Sequence, residues 1–102
     1  MAKLIAIHKM PADSEQYRSY YVKTHVPLAL ALPGLRKYEL STGSVATEVG
    51  LLRVLLVATL HFDSVEAARN ALDSAEGHAA MEDVPKFATD TNVEILIEDL
   101  AA

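Results

Sequence analysis

The sequence predicts an α+β fold whose elements follow the order βαββαβ, and three observations lead to this prediction. Four apolar stretches have strand character, at residues 3–10, 35–41, 52–62 and 93–100. Two stretches with helical spacing separate the first strand from the second and the third from the fourth. The 102 residues are 51% hydrophobic, which suits one domain, 1–102, with a single modest core. This order is that of the ferredoxin-like fold, an antiparallel sheet with its helices on one face.

Capping residues and prolines set the expected limits of the first helix. Asp13 is the expected N-cap and Gln16 occupies the capping-box position. Tyrosines then line one helix face at spacings of three and four, namely Tyr17, Tyr20 and Tyr21. Because Pro27 lacks the amide that would continue the helix, we expect the helix to end near residues 24–25.

The second half of the chain has the same plan. Residues 41–50 have loop chemistry and lead into the long third strand. Asp63 and Ser64 are the capping candidates of the second helix, and Gly77 is its expected C-terminal stop. The buried stripe of this helix is expected at Val65, Ala68, Leu72 and Ala75. A short helical piece over residues 78–84 should precede the fourth strand.

The strand pattern predicts that a second copy of the chain covers the sheet. In the third strand, every second residue from Leu52 to Phe62 is apolar. The opposite face reads Arg53, Leu55, Val57, Thr59 and His61. The centre of that face is too apolar to lie against water, and helices cover only one side of such a sheet. We therefore expect a homodimer through the sheet faces, with a two-fold axis between them.

Composition excludes several classes of function. There is no cysteine, so disulfides, thiolate catalysis and iron–sulfur ligation are ruled out. The net charge is −5 and the 9 Lys and Arg residues are scattered, which leaves no basic footprint for nucleic acid. The longest apolar run, 54–60, is far shorter than the ~20 residues of a membrane span, and the N-terminus predicts a strand rather than a signal peptide. We expect a cytoplasmic protein without a metal or other cofactor.

Several segments together resemble the EthD family, named after a protein linked to ethyl tert-butyl ether degradation. They are Tyr21, His25-Val26-Pro27-Leu28, the run from Pro33 to Glu39 (PGLRKYE), Phe62-Asp63-Ser64, and Glu76-Gly77 followed by Phe87-Ala88. The resemblance covers nearly the whole chain and implies a dimeric α/β barrel, in which two ferredoxin-like protomers pair their sheets around a cavity. Members occur beside cytochrome P450 systems, and similar barrels include cofactor-free oxygenases, isomerases, polyketide cyclases and haem-handling proteins. The resemblance thus implies an architecture and a candidate site at His25, but no single reaction.

His25 is the leading candidate for chemistry, because an imidazole beside a cavity can act as general acid or base. The structural alternative is that it caps the last helical turn. Tyr38 and His61 are the candidates to stabilise developing negative charge, and the alternative is that each fills space with a satisfied polar tip. The candidate ligand-binding residues are Tyr21, Arg36, Val57 and Thr59.

Strand direction predicts how these groups are arranged. His25, Arg36, Tyr38 and His61 should gather toward one end of the protomer. His8, at the finish of the first strand, should lie at the opposite end. Tyr38 and His61 should line the same cavity, on the sheet face that forms the barrel interior.

Three functions remain open from the sequence. The first is a dimeric barrel that binds a small apolar or aromatic molecule, with cofactor-independent acid–base chemistry of an isomerase, cyclase or oxygenase kind. The second is a non-catalytic accessory to an oxidative degradation pathway that supports a monooxygenase. The third is a barrel that binds haem through an axial histidine.

Overall fold

One antiparallel sheet carries the fold. The computed structural model describes residues 1–89 and 91–100, and of residues 51 and 52 the backbone alone. The strands are β1 (Ala2–Lys9), β2 (Lys37–Leu40), β3 (Val45–Thr47), β4 (Gly50–Phe62) and β5 (Val93–Asp99). They lie in the order β2-β4-β1-β5, and β3 pairs with the start of β4 in the stretch expected to be a loop. Apart from β3, the predicted ferredoxin-like order is confirmed.

The helices form two segments that pack on one face of this sheet. The first segment consists of α1 (Ser14–Tyr20), a π-helical turn (Tyr21–His25) and α2 (Val26–Leu30). The second consists of α3 (Val65–Asp73) and α4 (Ala75–Phe87). No helix in the described part of the chain is long and apolar enough to cross a membrane.

The first helical segment does not end before Pro27. Asp13 caps α1 as predicted, since its side chain accepts a hydrogen bond from the amide of Gln16 at 3.0 Å. Further along, the amide of Val26 bonds to the carbonyl of Tyr21, five residues back, which is the wide turn of a π helix. This turn leaves Pro27 at the start of α2, where a missing amide is harmless. The expected end at residues 24–25 is therefore wrong.

Gly77 is not a helix stop but a point of close approach. Ser74 separates α3 from α4, and its hydroxyl caps α4 by accepting a hydrogen bond from the amide of Gly77 at 3.0 Å. A Cβ at Gly77 would overlap the carbonyl oxygens of Ala71 and Leu72. Only glycine therefore lets α4 begin so close to the last turn of α3. Ser64 caps α3 as predicted.

The helix-covered face of the sheet contributes the core. Its buried strand residues are Leu4, Leu56, Ala58, Leu60 and Phe62, and the buried helical residues against them include Tyr17, Tyr21, Ala68 and Ala71. The predicted face of β4 is thus confirmed from residue 56 onward. Before that point a bulge opposite His8 and Lys9 interrupts the alternation, so that Leu55 and Leu56 are both buried.

None of the helices in the described residues lies on the other face of the sheet, which we call the open face. Its central residues are Ile5, Ile7, Val57, Thr59 and Leu96. Four of them are half-buried, and Leu96 is 49% exposed. The apolar character predicted for this face is therefore present in the protomer.

Candidate functional site

Polar and aromatic side chains meet between the helices and the covered face of the sheet, in what we call the histidine cluster. Its members are His8, Tyr17, Tyr20, Tyr21, His25, Tyr38, Asp83 and Phe87. Phe87 lies among them, its ring centroid 5.1 to 6.1 Å from those of five neighbouring rings. The cluster therefore combines two imidazoles, four phenols and one carboxylate around an apolar ring.

His25 is held by a buried carboxylate. Its Nδ1 lies 3.0 Å from Oδ2 of Asp83, and the two residues are 8% and 3% exposed. Because a carboxylate only accepts hydrogen bonds, Nδ1 of His25 carries the hydrogen and donates it. The hydroxyl of Tyr20 donates to the other oxygen of Asp83 at 2.8 Å, and this bond raises the pKa of Tyr20. Both oxygens of Asp83 are thus used to orient its neighbours.

The remaining nitrogen of His25 is available for chemistry. In the neutral ring, a hydrogen on Nδ1 leaves a lone pair on Nε2. Nε2 makes no hydrogen bond within the described residues. Every fully buried side-chain nitrogen or oxygen in those residues has a hydrogen-bond partner, so Nε2 is not fully buried. The ring that carries Nε2 is among those that line the cavity. His25 is the last residue of the π turn.

His8 lies beside His25 rather than at the opposite end of the protomer. Its ring centroid is 4.9 Å from that of Tyr21, which in turn is 5.1 Å from that of His25. The predicted separation of His8 from His25 is wrong because His25 lies within a continuing helical segment and not at a helix end near the sheet edge. The predicted separation of His8 from His61 is confirmed, since His61 pairs with Lys3, five residues before His8 on β1. Nδ1 of His8 lies 2.6 Å from the hydroxyl of Tyr17. Burial, with a smaller contribution from His25, lowers the pKa of His8 to about 4, so this imidazole is neutral at physiological pH.

Two tyrosine hydroxyls form a further polar contact of the cluster. The hydroxyls of Tyr21 and Tyr38 lie 2.6 Å apart. Burial raises the pKa of both, so both stay protonated near neutral pH. One hydroxyl hydrogen is used between the two oxygens, and the other remains available to donate to a ligand oxygen.

The cavity beneath the helices is narrow and mostly apolar. Its volume is about 50 Å³, enough for small molecules such as water but well below the ~300 Å³ at which ordinary ligand sites begin. The polar residues in its lining are His8, Tyr21, His25 and Tyr38, and the apolar ones include Leu4, Ala29, Leu60 and Ala80. Met81 of α4 and Ile95 of β5 also line it and are 41% and 36% exposed.

A larger groove of about 310 Å³ borders the cluster on the side of Tyr17 and Tyr20, between the start of α1 and the end of α4. It is lined by Pro11, Asp13, Gln16, Tyr17, Tyr20, Lys86, Phe87 and Thr89. Neither His8 nor His25 lines it, so we take the smaller cavity as the candidate site. In residues 1–89 and 91–100, no three His, Asp or Glu side chains converge as metal ligands would.

The sequence-predicted site residues fall into two groups. Tyr21, His25 and Tyr38 line the cavity, whereas Val57, Thr59 and His61 lie on the open face. The expectation that Tyr38 and His61 share a cavity is wrong. Tyr38 pairs with Leu60 in the sheet register, and side chains of successive residues point to opposite faces.

The two remaining polar candidates, Arg36 and His61, each contact a carboxylate near the surface. Arg36 makes a two-pronged contact with Asp63, with N–O distances of 3.1 and 2.7 Å, and both side chains are 63% exposed. Nε2 of His61 lies 2.6 Å from Oε1 of Glu39, and this hydrogen bond lowers the pKa of Glu39. Neither Arg36 nor His61 lines the cavity.

Five members of the cluster were not among the predicted site residues, namely His8, Tyr17, Tyr20, Asp83 and Phe87, and a signal in the sequence could have found two of them. His8 has the same strand parity as Leu4 and Ala6, which marks it for the covered face. Asp83 shares a helix face with Ala80 and Phe87, at spacings of three and four. An acid on an otherwise apolar face predicts a buried partner, and that signal points to Asp83.

Comparison with known proteins gives the family. The EthD domain model matches residues 9–91. A crystal structure of an EthD-family protein from Bacillus halodurans is 28% identical in sequence, with a TM-score of 0.85 and 99% of each chain covered. An uncharacterized 11.0 kDa protein in the thcB-thcC intergenic region of Rhodococcus erythropolis is 27% identical over 89 residues, 87% of this chain and 85% of that protein.

More distant structures are similar in fold alone. SnoaB, a cofactor-independent oxygenase from Streptomyces nogalater, is 13% identical with a TM-score of 0.67, over 99% of this chain and 93% of its own. A dimeric ferredoxin-like protein of unknown function from Thermobifida fusca is 15% identical with a TM-score of 0.68, over 97% and 90%. The EthD match extends over most of the chain, from residue 9 to residue 91, and the chain therefore belongs to the EthD family.

Proposed function

We propose that this protein binds a small apolar or aromatic molecule with at least one oxygen function in the cavity beneath α4, where His25 acts as a general base without a cofactor. The observation that carries the proposal is the contact between His25 and Asp83. A buried carboxylate fixes Nδ1 of His25, and the opposite nitrogen makes no hydrogen bond within the described residues and belongs to a ring that lines the cavity. A base oriented by an acid in this way is a recurrent arrangement in acid–base catalysis.

The chemistry follows from the protonation states around the cavity. Nε2 of His25 removes a proton from a carbon beside a carbonyl group, or from a phenol, and Asp83 stabilises the imidazolium that forms. The free hydroxyl hydrogen of the Tyr21–Tyr38 pair donates to the ligand oxygen on which negative charge develops. Return of the proton from His25 to a different atom completes an isomerisation. In a cyclisation, the anion instead attacks a second carbonyl group of the ligand.

His8 has a separate role in this proposal. With its pKa lowered to about 4, His8 is a neutral group that hydrogen-bonds to the ligand without competing with His25 for the proton. The fold likeness to a cofactor-independent oxygenase supports a third outcome, in which the anion reacts with dioxygen. Each of these reactions requires only the ligand, His25 and its neighbours at the proton-transfer step.

A homodimer through the open face is part of the same proposal. Ile5, Ile7 and Val57 form an apolar centre that no helix covers, and the cavity lies on the other side of the sheet. The protein from Thermobifida fusca with this fold is dimeric. Each protomer would then keep its own cavity, and Val57, Thr59 and His61 would belong to the contact between protomers rather than to ligand binding.

The test combines mass spectrometry with kinetics. Native mass spectrometry of the freshly purified protein, repeated under denaturing conditions, identifies any small molecule that is carried along. Turnover of that molecule, or of a panel of phenols and 1,3-diketones, is then measured from pH 5 to 9 for wild type and His25→Gln. His78→Gln is the matched control, since His78 is an exposed histidine on α4. A flat pH–rate profile, or full activity in His25→Gln, would overturn the assignment of the base.

The small volume of the cavity favours one alternative, a non-catalytic accessory to an oxidative pathway. A cavity of about 50 Å³ is too small for an aromatic ring unless it widens. A protein that only carries or releases a ligand for a monooxygenase has no need of a permanently open site. Turnover by the isolated protein excludes this alternative, and the absence of a Soret shift on haem titration excludes haem binding.

A further inference from the structure

α4 forms the roof of the cavity without resting closely on the sheet. Its main contacts are with α2, α3 and the π turn, whereas α3 packs against β1, β4 and β5. Three residues of α4 line the cavity below it, namely Ala80, Met81 and Val84. The roof is therefore supported at its sides and lies over a gap at its centre.

A proline weakens this roof where the cavity meets the surface. Pro85 lies inside α4 and has no amide hydrogen, so the helix lacks the bond that would otherwise end on the carbonyl of Met81. Met81 is 41% exposed and lines the cavity together with Ile95 of the edge strand β5, which is 36% exposed. The turn of α4 with the missing bond is thus also the turn that borders the opening.

The volume of the cavity requires such a movable element. An engineered apolar cavity of about 150 Å³ is known to bind benzene, which is roughly three times the present volume. The sheet below is fixed by hydrogen bonds along β1 and β4, and Asp83 is tied to both Tyr20 and His25. The Met81 turn lacks one helical hydrogen bond, because residue 85 has no amide hydrogen.

We propose that the turn of α4 around Met81 is a movable wall, and that apolar ligands reach His25 by passing between Met81 and Ile95. Pro85 makes the displacement easier because no helical hydrogen bond at Met81 has to break. The bulk of residue 81 then limits the size of ligand that is admitted. The identity of the ligand and the argument from volume rest on the proposed function, but the missing hydrogen bond at Met81 and the exposure of its side chain do not.

The absence of cysteine from the sequence permits a direct test on the full chain. A single reporter cysteine is introduced by Ala29→Cys, at a cavity-lining position that is 5% exposed, and its alkylation by iodoacetamide is timed. Ala80→Cys, at 6% exposure, is the second reporter, and Ala79→Cys on the exposed side of α4 gives the unhindered rate. We expect the cavity reporters to react at least 10-fold more slowly than the exposed one.

Restoring the missing hydrogen bond should close the wall. We expect Pro85→Ala to slow alkylation of the cavity reporters at least 5-fold, and Pro33→Ala, at an exposed turn, to leave it unchanged. Met81→Trp should slow it as well, and Met81→Ala should accelerate it. An unchanged rate in Pro85→Ala, or alkylation that occurs only as fast as global unfolding, overturns the movable wall.

A second measurement separates this inference from the proposed function. Saturating phenol is added during alkylation of the cavity reporter. Protection together with a slower Pro85→Ala variant supports both proposals. A slower Pro85→Ala variant without protection keeps the movable wall and overturns phenol as a ligand. Protection with an unchanged Pro85→Ala variant keeps the ligand and overturns the movable wall.

Discussion

Nδ1 of His25 and Oδ2 of Asp83 lie 3.0 Å apart, although the two residues are 58 positions apart in the chain. The contact joins the π turn of the first helical segment to the middle of α4. It fixes the tautomer of His25 and at the same time attaches α4 to the π turn at a point between Met81 and Val84. Geometry at the candidate base is therefore coupled to the position of the helix that covers it.

Replacing Asp83 by asparagine should change the tautomer of His25 while preserving the volume at residue 83. Asparagine can turn its NH₂ group toward the ring, which moves the hydrogen to Nε2 and removes the lone pair from the cavity. We expect the ¹⁵N shifts of His25 to report this exchange, and any turnover to fall about 10²- to 10⁴-fold. Asp73→Asn, at an exposed acid of α3, is the control. Unchanged His25 shifts would mean that Asp83 does not set the tautomer.

His8 should make the protein less stable at mildly acidic pH. Its pKa is lowered from 6.5 to about 4, so between these values the unfolded chain binds a proton that the folded chain does not. The free energy of unfolding therefore rises with pH across this window and is unaffected by His8 above it. The full effect is roughly 3 kcal/mol, and about 2 kcal/mol of it is already present at pH 5.

Urea unfolding at pH 7.5 and at pH 5, at one protein concentration, measures this effect. Glu39 and Asp63, whose pKa values are lowered by His61 and Arg36, add a pH dependence of the same sign at lower pH. Their contribution is common to wild type and His8→Gln, so the difference between the two proteins isolates His8. Equal pH dependence in both would show that His8 is as easily protonated in the folded chain as in the unfolded one.

Much of the fold could be predicted because its signals are local. Strand periodicity gave the element order and the faces of β4, and the caps at Asp13 and Ser64 follow from short-range hydrogen bonding. The helix end predicted from Pro27 was wrong because a proline can follow the end of one helix or lie in the first turn of the next. The deciding factor is the π turn, in which the buried Tyr21 and His25 lie within the packed cluster.

The candidate site was less predictable because it depends on long-range geometry. His25 and Tyr38 were identified as site residues from the sequence. The sheet face on which Tyr38 lies depends on how β2 pairs with β4, and the four residues of β2 do not determine that pairing by themselves. Asp83 has a local signal, an acid on an apolar helix face. Its partner cannot be read from the sequence because that requires the crossing of two helices.

The Tyr21–Tyr38 pair should show strong coupling. Tyr21→Phe and Tyr38→Phe each remove one hydroxyl from a 2.6 Å contact and leave the other without its partner. We expect each to cost about 1–2 kcal/mol of unfolding free energy. The double variant should cost about 1 kcal/mol less than the sum, since it leaves no orphaned hydroxyl. Additive effects would indicate that the two hydroxyls do not depend on each other.

A charge at the centre of the open face should separate the protomers. Val57 is half-buried on that face, and by symmetry each Val57→Lys substitution enters the proposed contact twice. Burying an unpaired ammonium group is costly, so we expect the dimer dissociation constant to rise at least ~100-fold. Light scattering after size-exclusion chromatography measures the mass. Val22→Lys, at a helix position that is 49% exposed, is the control. If Val57→Lys left the dimer unaffected, the protomers would have to meet through another surface.

Gly77 should be among the least replaceable residues of the chain. An alanine Cβ there would overlap the carbonyl oxygens of Ala71 and Leu72, and backbone atoms cannot move aside as a flexible side chain can. We expect Gly77→Ala to lower the free energy of unfolding by ~3 kcal/mol or more, because α4 must shift away from α3. Gly43→Ala is the matched control, since no atom lies within 4 Å of a Cβ at that position and its effect should stay within ~1 kcal/mol. Thermal and urea unfolding of both variants decide the point. If Gly77→Ala were as stable as Gly43→Ala, the backbones of α3 and α4 would have to lie farther apart at Gly77 than the structure shows.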